Sequence, residues 1–139
     1  MNKTMLPAII LTFLLLSFGG TPKATADTEI IPQDQFPSLL EGAFLRSLGW
    51  TILDIMEAHG DTQLFENERI EKISQNNGQY DVTLRVIGFE GAHSPPYKLI
   101  RMTIRFPGNG GNANYSVISY SHRIISDKEF EELTKNAMK

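Results

Sequence analysis

Two apolar periodicities follow one another along this chain, and together they leave few folds open. From Ser38 to His59 the apolar residues recur at helical spacing. Leu40, Phe44, Leu48, Ile52 and Ile55 form one stripe, and Leu45, Trp50, Leu53 and Met56 widen it. From Gln79 onward the period drops to two. Tyr80, Val82, Leu84 and Val86 alternate with Asp81, Thr83 and Arg85, and Ile100, Met102, Ile104 and Phe106 alternate with Arg101, Thr103 and Arg105. A wide-striped helix needs an apolar surface to lie on, and strands with one apolar face need that face covered. The pattern predicts an α+β fold in which the helix covers one face of an antiparallel sheet.

The punctuation sharpens this. Ser38 with Glu41 three residues on has the spacing of a helix-starting capping box, and Gly60 stops the helix after His59. Gly49 weakens the helix interior and marks a candidate kink, and Trp50 is assigned to the core. Glu66 to Ser74 is a first strand whose Ile70 and Ile73 are out of phase, as beside a bulge. Asn76-Asn77-Gly78 is a hairpin turn leading into Gln79 to Phe89. Lys98 to Phe106 is the third strand, and Pro107 to Asn114 is a loop. Tyr115 to Ile124 is the fourth strand, with Val117 on one face and Ile118 and Tyr120 on the other. Ser126 with Glu129 is a second capping box, opening a short helix that carries Phe130 and Leu133. The expected architecture is one long N-terminal helix packed on a four-stranded antiparallel sheet, with a short C-terminal helix. In outline this is a roll of the cystatin-like or NTF2-like kind.

The first residues have a different character. Lys3 precedes an apolar run from Met5 to Phe18, Gly19, Gly20 and Pro22 break it, and Ala24-Thr25-Ala26 supplies the small residues a signal peptidase reads. Residues 1–26 are therefore read as a signal peptide cut near Ala26, residues 27–37 as a polar lead-in and residues 38–139 as one domain. The run is too short to span a bilayer, which takes roughly 20 apolar residues, so no membrane attachment is expected after cleavage. The protein is expected to be secreted, into the extracellular or cell-wall space. A cysteine-free exported domain of this size fits a Gram-positive source.

Composition excludes several functions. With no Cys there are no disulfides, thiolate metal sites or Cys nucleophiles. The formal net charge is −3, and loss of Lys3 and Lys23 with the leader makes it more acidic, which disfavours nucleic acid as a partner. Arg85, Arg101 and Arg105 line one strand face, where cross-strand pairing with Asp81 or Glu71 is expected.

One segment is chemically dense: Phe89-Glu90-Gly91-Ala92-His93-Ser94-Pro95-Pro96-Tyr97. Gly91 opens backbone geometries closed to other residues, and Pro95-Pro96 fixes two φ angles and withholds two N–H donors. Between these stiff parts stand Glu90, His93 and Tyr97. A rigid loop lowers the entropy of presenting polar groups, so Glu90, Gly91, His93, Ser94, Pro95, Pro96 and Tyr97 form the candidate binding loop. In a catalytic version His93 is a general base tuned by Glu90. His59, His93, His122 and Glu90 carry metal-ligating atoms, yet there is no His-Glu-x-x-His and no EF-hand loop, so neither metal nor cofactor is expected.

The same segment resembles the signature loop of the domain-of-unknown-function family numbered 3888, small exported proteins of bacilli. The family pattern runs Phe-Glu-Gly-Ala-His-Asn-Pro-Pro-Tyr-Gly. Phe89 to His93 and Pro95 to Tyr97 match it position by position, Ser94 replaces its Asn and Lys98 its Gly. The resemblance covers residues 38 to 122 and implies no activity. The expected role is a non-catalytic binding or interaction module at the cell surface, its partner a cell-wall component or an exported protein. The alternative is a small metal-dependent or hydrolase-like enzyme with its site at Glu90 and His93.

Overall fold

A computed structural model describes residues 27–109 and 114–137. The signal-peptide reading of residues 1–26 and the middle of the Asn/Gly-rich loop lie outside the described residues. Eight elements follow in order: β1 (Asp27–Ile30), α1 (Leu39–Ser47), α2 (Gly49–Ala58), β2 (Leu64–Asn76), β3 (Gln79–Glu90), β4 (Ser94–Phe106), β5 (Ser116–Ile125) and α3 (Asp127–Thr134). The strands form one antiparallel meander in chain order, β1-β2-β3-β4-β5. The α+β class holds, with three helices and five strands rather than two helices and four strands.

The alternating runs do what their period requires. Val82, Leu84 and Val86 pair with Ile104, Met102 and Ile100, and all six are buried under α1 and α2. Leu45, Leu48, Ile52, Ile55 and Met56 supply the helical half of this core. On the opposite face α3 packs Phe130 and Leu133 against Ile87, Leu99 and Ile125. Among the described residues, no helix is long and apolar enough to cross a membrane.

The long helix is corrected to two. The break falls at Leu48, which closes α1 and opens α2 with φ −88° and ψ −3°, directly before Gly49. Trp50 is corrected from core to surface, with 81% of it exposed. On a helix it stands about 200° round from both Leu48 and Ile52, opposite the buried stripe. Leu40 is exposed as well, while Glu41 beside it turns inward to Arg69 and Phe44 packs against the core.

Both capping boxes are half-formed for a shared reason. The Ser38 hydroxyl accepts from the Glu41 amide and the Ser126 hydroxyl from the Glu129 amide, as expected. Neither glutamate reaches back, because each carboxylate is taken by an arginine: Glu41 by Arg69 and Glu129 by Arg123.

The lead-in is corrected too. Its first four residues are β1, paired with Lys72 to Gln75 of β2, and the chain leaves the sheet at Ile31. In β2 the register slips between Glu66 and Arg69 and again between Ile70 and Lys72, which brings both Ile70 and Ile73 opposite helix-facing partners, Leu84 and Val82. In β5 a slip between Val117 and Ser119 corrects the expected phase. Val117 and Tyr120 stand opposite Ile104 and Met102 on the same face, and Ile118 is the extra residue.

Arginines occupy the face that α3 crosses. Arg69, Arg85 and Arg101 stand side by side on β2, β3 and β4. The carbonyls at the end of α3 and just beyond it accept from them, Leu133 from Arg85 at 2.8 Å and Asn136 from Arg69 at 2.8 Å. A helix C-terminus carries partial negative charge, so this placement suits both groups. Arg101 pairs with Glu71 at 3.0 and 3.1 Å, and Arg105 grips its cross-strand partner Asp81 at 2.6 and 2.7 Å.

Candidate functional site

The segment that the sequence marks as a stiff loop is the end of a hairpin. Glu90 and Ser94 face each other as the last pair of β3 and β4, and Gly91-Ala92-His93 makes the turn. Gly91 (φ +58°) and His93 (φ +56°) both adopt the left-handed conformation. Gly91 reaches it without strain, whereas His93 is a less common occupant and is held by three contacts. Its ring stacks on Phe89 with centroids 4.2 Å apart, its Nδ1 lies 3.0 Å from a Glu66 carboxylate oxygen, and its carbonyl accepts from the Tyr97 hydroxyl at 3.0 Å. Tyr97 stacks in turn on Phe130 of α3, centroids 3.9 Å apart. His93 is thus partnered by Glu66 of β2 rather than by Glu90. Ser94, Pro95 and Pro96 are exposed on the first residues of β4.

Next to this turn is an open groove of about 450 Å³ between the helix break and the start of β2. Trp50 and Leu53 form its helical wall, Leu64 and Phe65 its strand wall, and the Phe89–His93 stack closes one end. Arg46 and Glu68 supply its rim charges. Leu64 is 61% exposed, so the groove has apolar lips as well as an apolar floor. The helix break positions this wall, since it sets Trp50 outward while Ile52 stays buried beneath.

A second constellation lies where α2 ends. Gly60 (φ +84°) turns the chain out of the helix and drops Asp61 into the body, where it is only 2% exposed. Asp61 Oδ1 accepts from Lys98 Nζ at 2.5 Å, and Oδ2 accepts from the Tyr120 hydroxyl and from His122 Nδ1, both at 2.5 Å. The His59 ring stacks on Tyr120 with centroids 4.1 Å apart, and its Nδ1 donates to the Ile55 carbonyl, securing the end of α2. Burial alone raises the carboxyl pKa of Asp61. The bonds from Lys98, Tyr120 and His122, with the Lys98 charge, outweigh it and hold the group well below the usual carboxylate range. Burial and the neighbouring Asp61 carboxylate push the Tyr120 phenol above its ordinary value.

An ionised Asp61 only accepts, so His122 Nδ1 carries the proton. A buried carboxylate orienting an imidazole is half of a hydrolytic triad. Among the described residues no Ser or Thr hydroxyl bonds the His122 ring, and what the bonds to Asp61 do show is the end of α2 tied to β4 and β5.

A family model described as protein of unknown function (DUF3888) matches residues 41–123. The chain belongs to this family. No curated protein and no solved structure matches it. The span that defines this DUF3888 member runs from Glu41 in α1 to Arg123 in β5 and leaves out β1 and α3. It contains the hairpin turn, the walls of the groove and every residue of the Asp61 cluster.

The sequence reading of this DUF3888 chain found His59, His93 and His122 but not what they touch. His59 and His122 meet at Tyr120, whereas His93 stands at the hairpin tip. Among the described residues no group of three or more His, Asp or Glu side chains is arranged to hold a metal ion. Asp61 was missed altogether because Gly60-Asp61-Thr62 reads as a plain helix exit. One signal was available: Tyr120 and His122 are two apart on a strand, hence on one face.

Proposed function

We propose that this chain is a non-catalytic binding module that works outside the cytoplasm at the cell surface, and that it holds an apolar side chain of an exported partner in the groove between α2 and the β3–β4 hairpin. The observation that carries the reading is Trp50, 81% exposed on the lip of a groove whose other lip is Leu64. Large exposed apolar residues that converge on one concavity are what binding surfaces offer, and tryptophan is over-represented among the residues that dominate binding energy. The hairpin turn adds a stiff end wall, so little ordering accompanies capture of a ligand. An extended peptide fits the groove's open shape better than a compact small molecule, with the rim charges Arg46 and Glu68 setting its direction.

Trp50 is the sole tryptophan, so its fluorescence reports the groove directly. Extended peptides with one aromatic or branched apolar side chain, and peptidoglycan fragments as a separate arm, are titrated against the protein. A saturable blue shift with peptide, lost in Leu64→Ser, supports the reading. A saturable response to wall fragments alone assigns the groove to the cell wall instead of a protein. No saturable change with either overturns it.

A further inference from the structure

Among the described residues the sheet ends on β5, a ten-residue strand whose free side no other element covers. Exposed edges are ordinarily protected by lysines, by proline, by a bulge or by a covering helix, and of these β5 has the bulge at Ile118. β5 has no proline and no lysine. Arg123 of β5 is already neutralised by Glu129, and His122 is engaged with Asp61. α3 leaves directly from β5 but crosses the sheet towards Arg85 and Arg69, away from this edge. What the edge does carry is apolar: Ile118 is 45% and Ile124 57% exposed.

These two residues are equidistant from Ser121. We propose that β5 pairs antiparallel with β5 of a second copy of this chain, about a two-fold axis at Ser121, joining two sheets into one of ten strands. This register sets Tyr120 opposite the partner's His122 and Arg123 opposite the partner's Ser119, and it brings Ile118, the extra residue at the bulge, beside the partner's Ile124. Both apolar side chains gain an apolar neighbour at each end of the seam, and no charge faces a like charge. Shifting the axis by one residue loses this match. An axis at Tyr120 sets Ile118 against His122 and Ile124 against Ser116. An axis at His122 sets two imidazoles face to face and Ile118 against Ser126, beyond the end of β5. Ser121 is also small, as the residue on the axis must be. A self-complementary patch is what a two-fold contact requires, and the main-chain groups along the free side of β5 supply its hydrogen bonds. This surface is separate from the groove and stands whether or not the groove binds a peptide.

The chain has no cysteine, which makes a direct test available. Residues directly opposite in an antiparallel pair have Cα atoms about 4.5–5.5 Å apart, within disulfide reach. Ser121→Cys places one thiol of each copy at the axis. Ser119→Cys places the two thiols about 14 Å apart, beyond reach. The expected result is that the unmodified full chain sediments at twice its monomer mass in the micromolar to millimolar range. Mild oxidation then converts most of the Ser121→Cys chain to a covalent dimer and leaves the Ser119→Cys chain unlinked. A second pair of variants checks the register. Ile118→Lys with Ile124→Lys dissociates the dimer, and Ile118→Lys with Ile124→Glu restores it. A wild-type chain that stays monomeric overturns the proposal, including the case in which β5 amides become protected only when an added peptide binds. So does a dimer that links equally through both cysteine variants or through neither.

Discussion

Asp61 and His122 are 61 positions apart in the chain, yet the Asp61 Oδ2 accepts from the His122 Nδ1 at 2.5 Å. With Lys98 and Tyr120 on the same carboxylate, one buried acid links the end of α2 to β4 and β5. The helix pair lies on the sheet through apolar contacts, which are not directional, and through Glu41 of α1, which accepts from Arg69 and the Ile70 amide of β2. Asp61 adds a directional tie at the other end, just beyond α2.

Asp61→Asn keeps the shape and removes the charge, leaving Lys98 and His122 facing an amide. The expected loss at neutral pH is about 2–4 kcal/mol, read as a lowered urea midpoint. The deficit is pH-dependent in a defined sense. The Asp61 carboxyl is depressed in the folded protein, so its contribution is fully present above its unfolded value near 3.8 and is lost as pH falls through the folded value. The gap between wild type and Asp61→Asn therefore closes on acidification below the unfolded value. Asp81 and Glu129 are depressed as well, through Arg105 and Arg123, so the wild-type curve alone does not isolate Asp61. A gap that stays constant down to acid unfolding rules out an ionised Asp61 as the organising group.

The core was legible in the sequence because period two has one meaning for paired strands. Val82, Leu84 and Val86 had to share a face, and so did Ile100, Met102 and Ile104. Trp50 was not legible from hydrophobicity alone, since a wide stripe does not say where it ends and the break at Leu48 does. β1 escaped because four residues with two charges carry too little pattern to stand apart from a polar linker. The sequence marks Glu90 to Tyr97 as a loop between two strands, the structure narrows it to the turn at Gly91-Ala92-His93, and His93 finds its acid on β2 rather than beside it in the chain. Asp61 shows the general limit. Its partners lie 37, 59 and 61 residues away, and only the sheet register brings them in.

Arg69 is 1% exposed and has more to satisfy than any other cation here. Its Nε donates to Glu41 at 3.0 Å, its Nη1 to the carbonyls of Gln35 and Asn136, and its Nη2 to that of Pro32. The same Glu41 oxygen also accepts the Ile70 amide, on the side of β2 that β1 leaves unpaired. Arg69→Met strands a buried carboxylate and three carbonyls, and the expected loss is about 3–5 kcal/mol. Adding Glu41→Gln removes the stranded charge and keeps an acceptor for Ile70, so the double variant is more stable than Arg69→Met alone. Urea unfolding of the four proteins of this cycle measures the coupling, and simple additivity of the two changes refutes it. Because Arg69 also anchors Pro32 and Gln35, Arg69→Met exposes residues 31–37 to limited proteolysis before the sheet unfolds.

His93 is 65% exposed and holds a left-handed backbone at the hairpin tip. Its side-chain contacts, one hydrogen bond to Glu66 and one stack on Phe89, lie at the surface, where each contributes little to stability. His93→Ala keeps the strained φ and loses both contacts, so a loss of about 1 kcal/mol or less is expected. His93→Gly loses the same contacts but relieves the backbone, and its urea midpoint is expected to lie at or above that of His93→Ala. This ordering reports the left-handed backbone, and the size of the His93→Ala loss reports what the imidazole contributes to the fold. A loss above about 2 kcal/mol in His93→Ala would make the imidazole a structural member of the turn and remove it from the groove's working surface. With the expected small loss, peptide affinity in the two variants becomes interpretable. Weaker binding in both, at unchanged stability, assigns the Phe89–His93 stack to the ligand rather than to the fold.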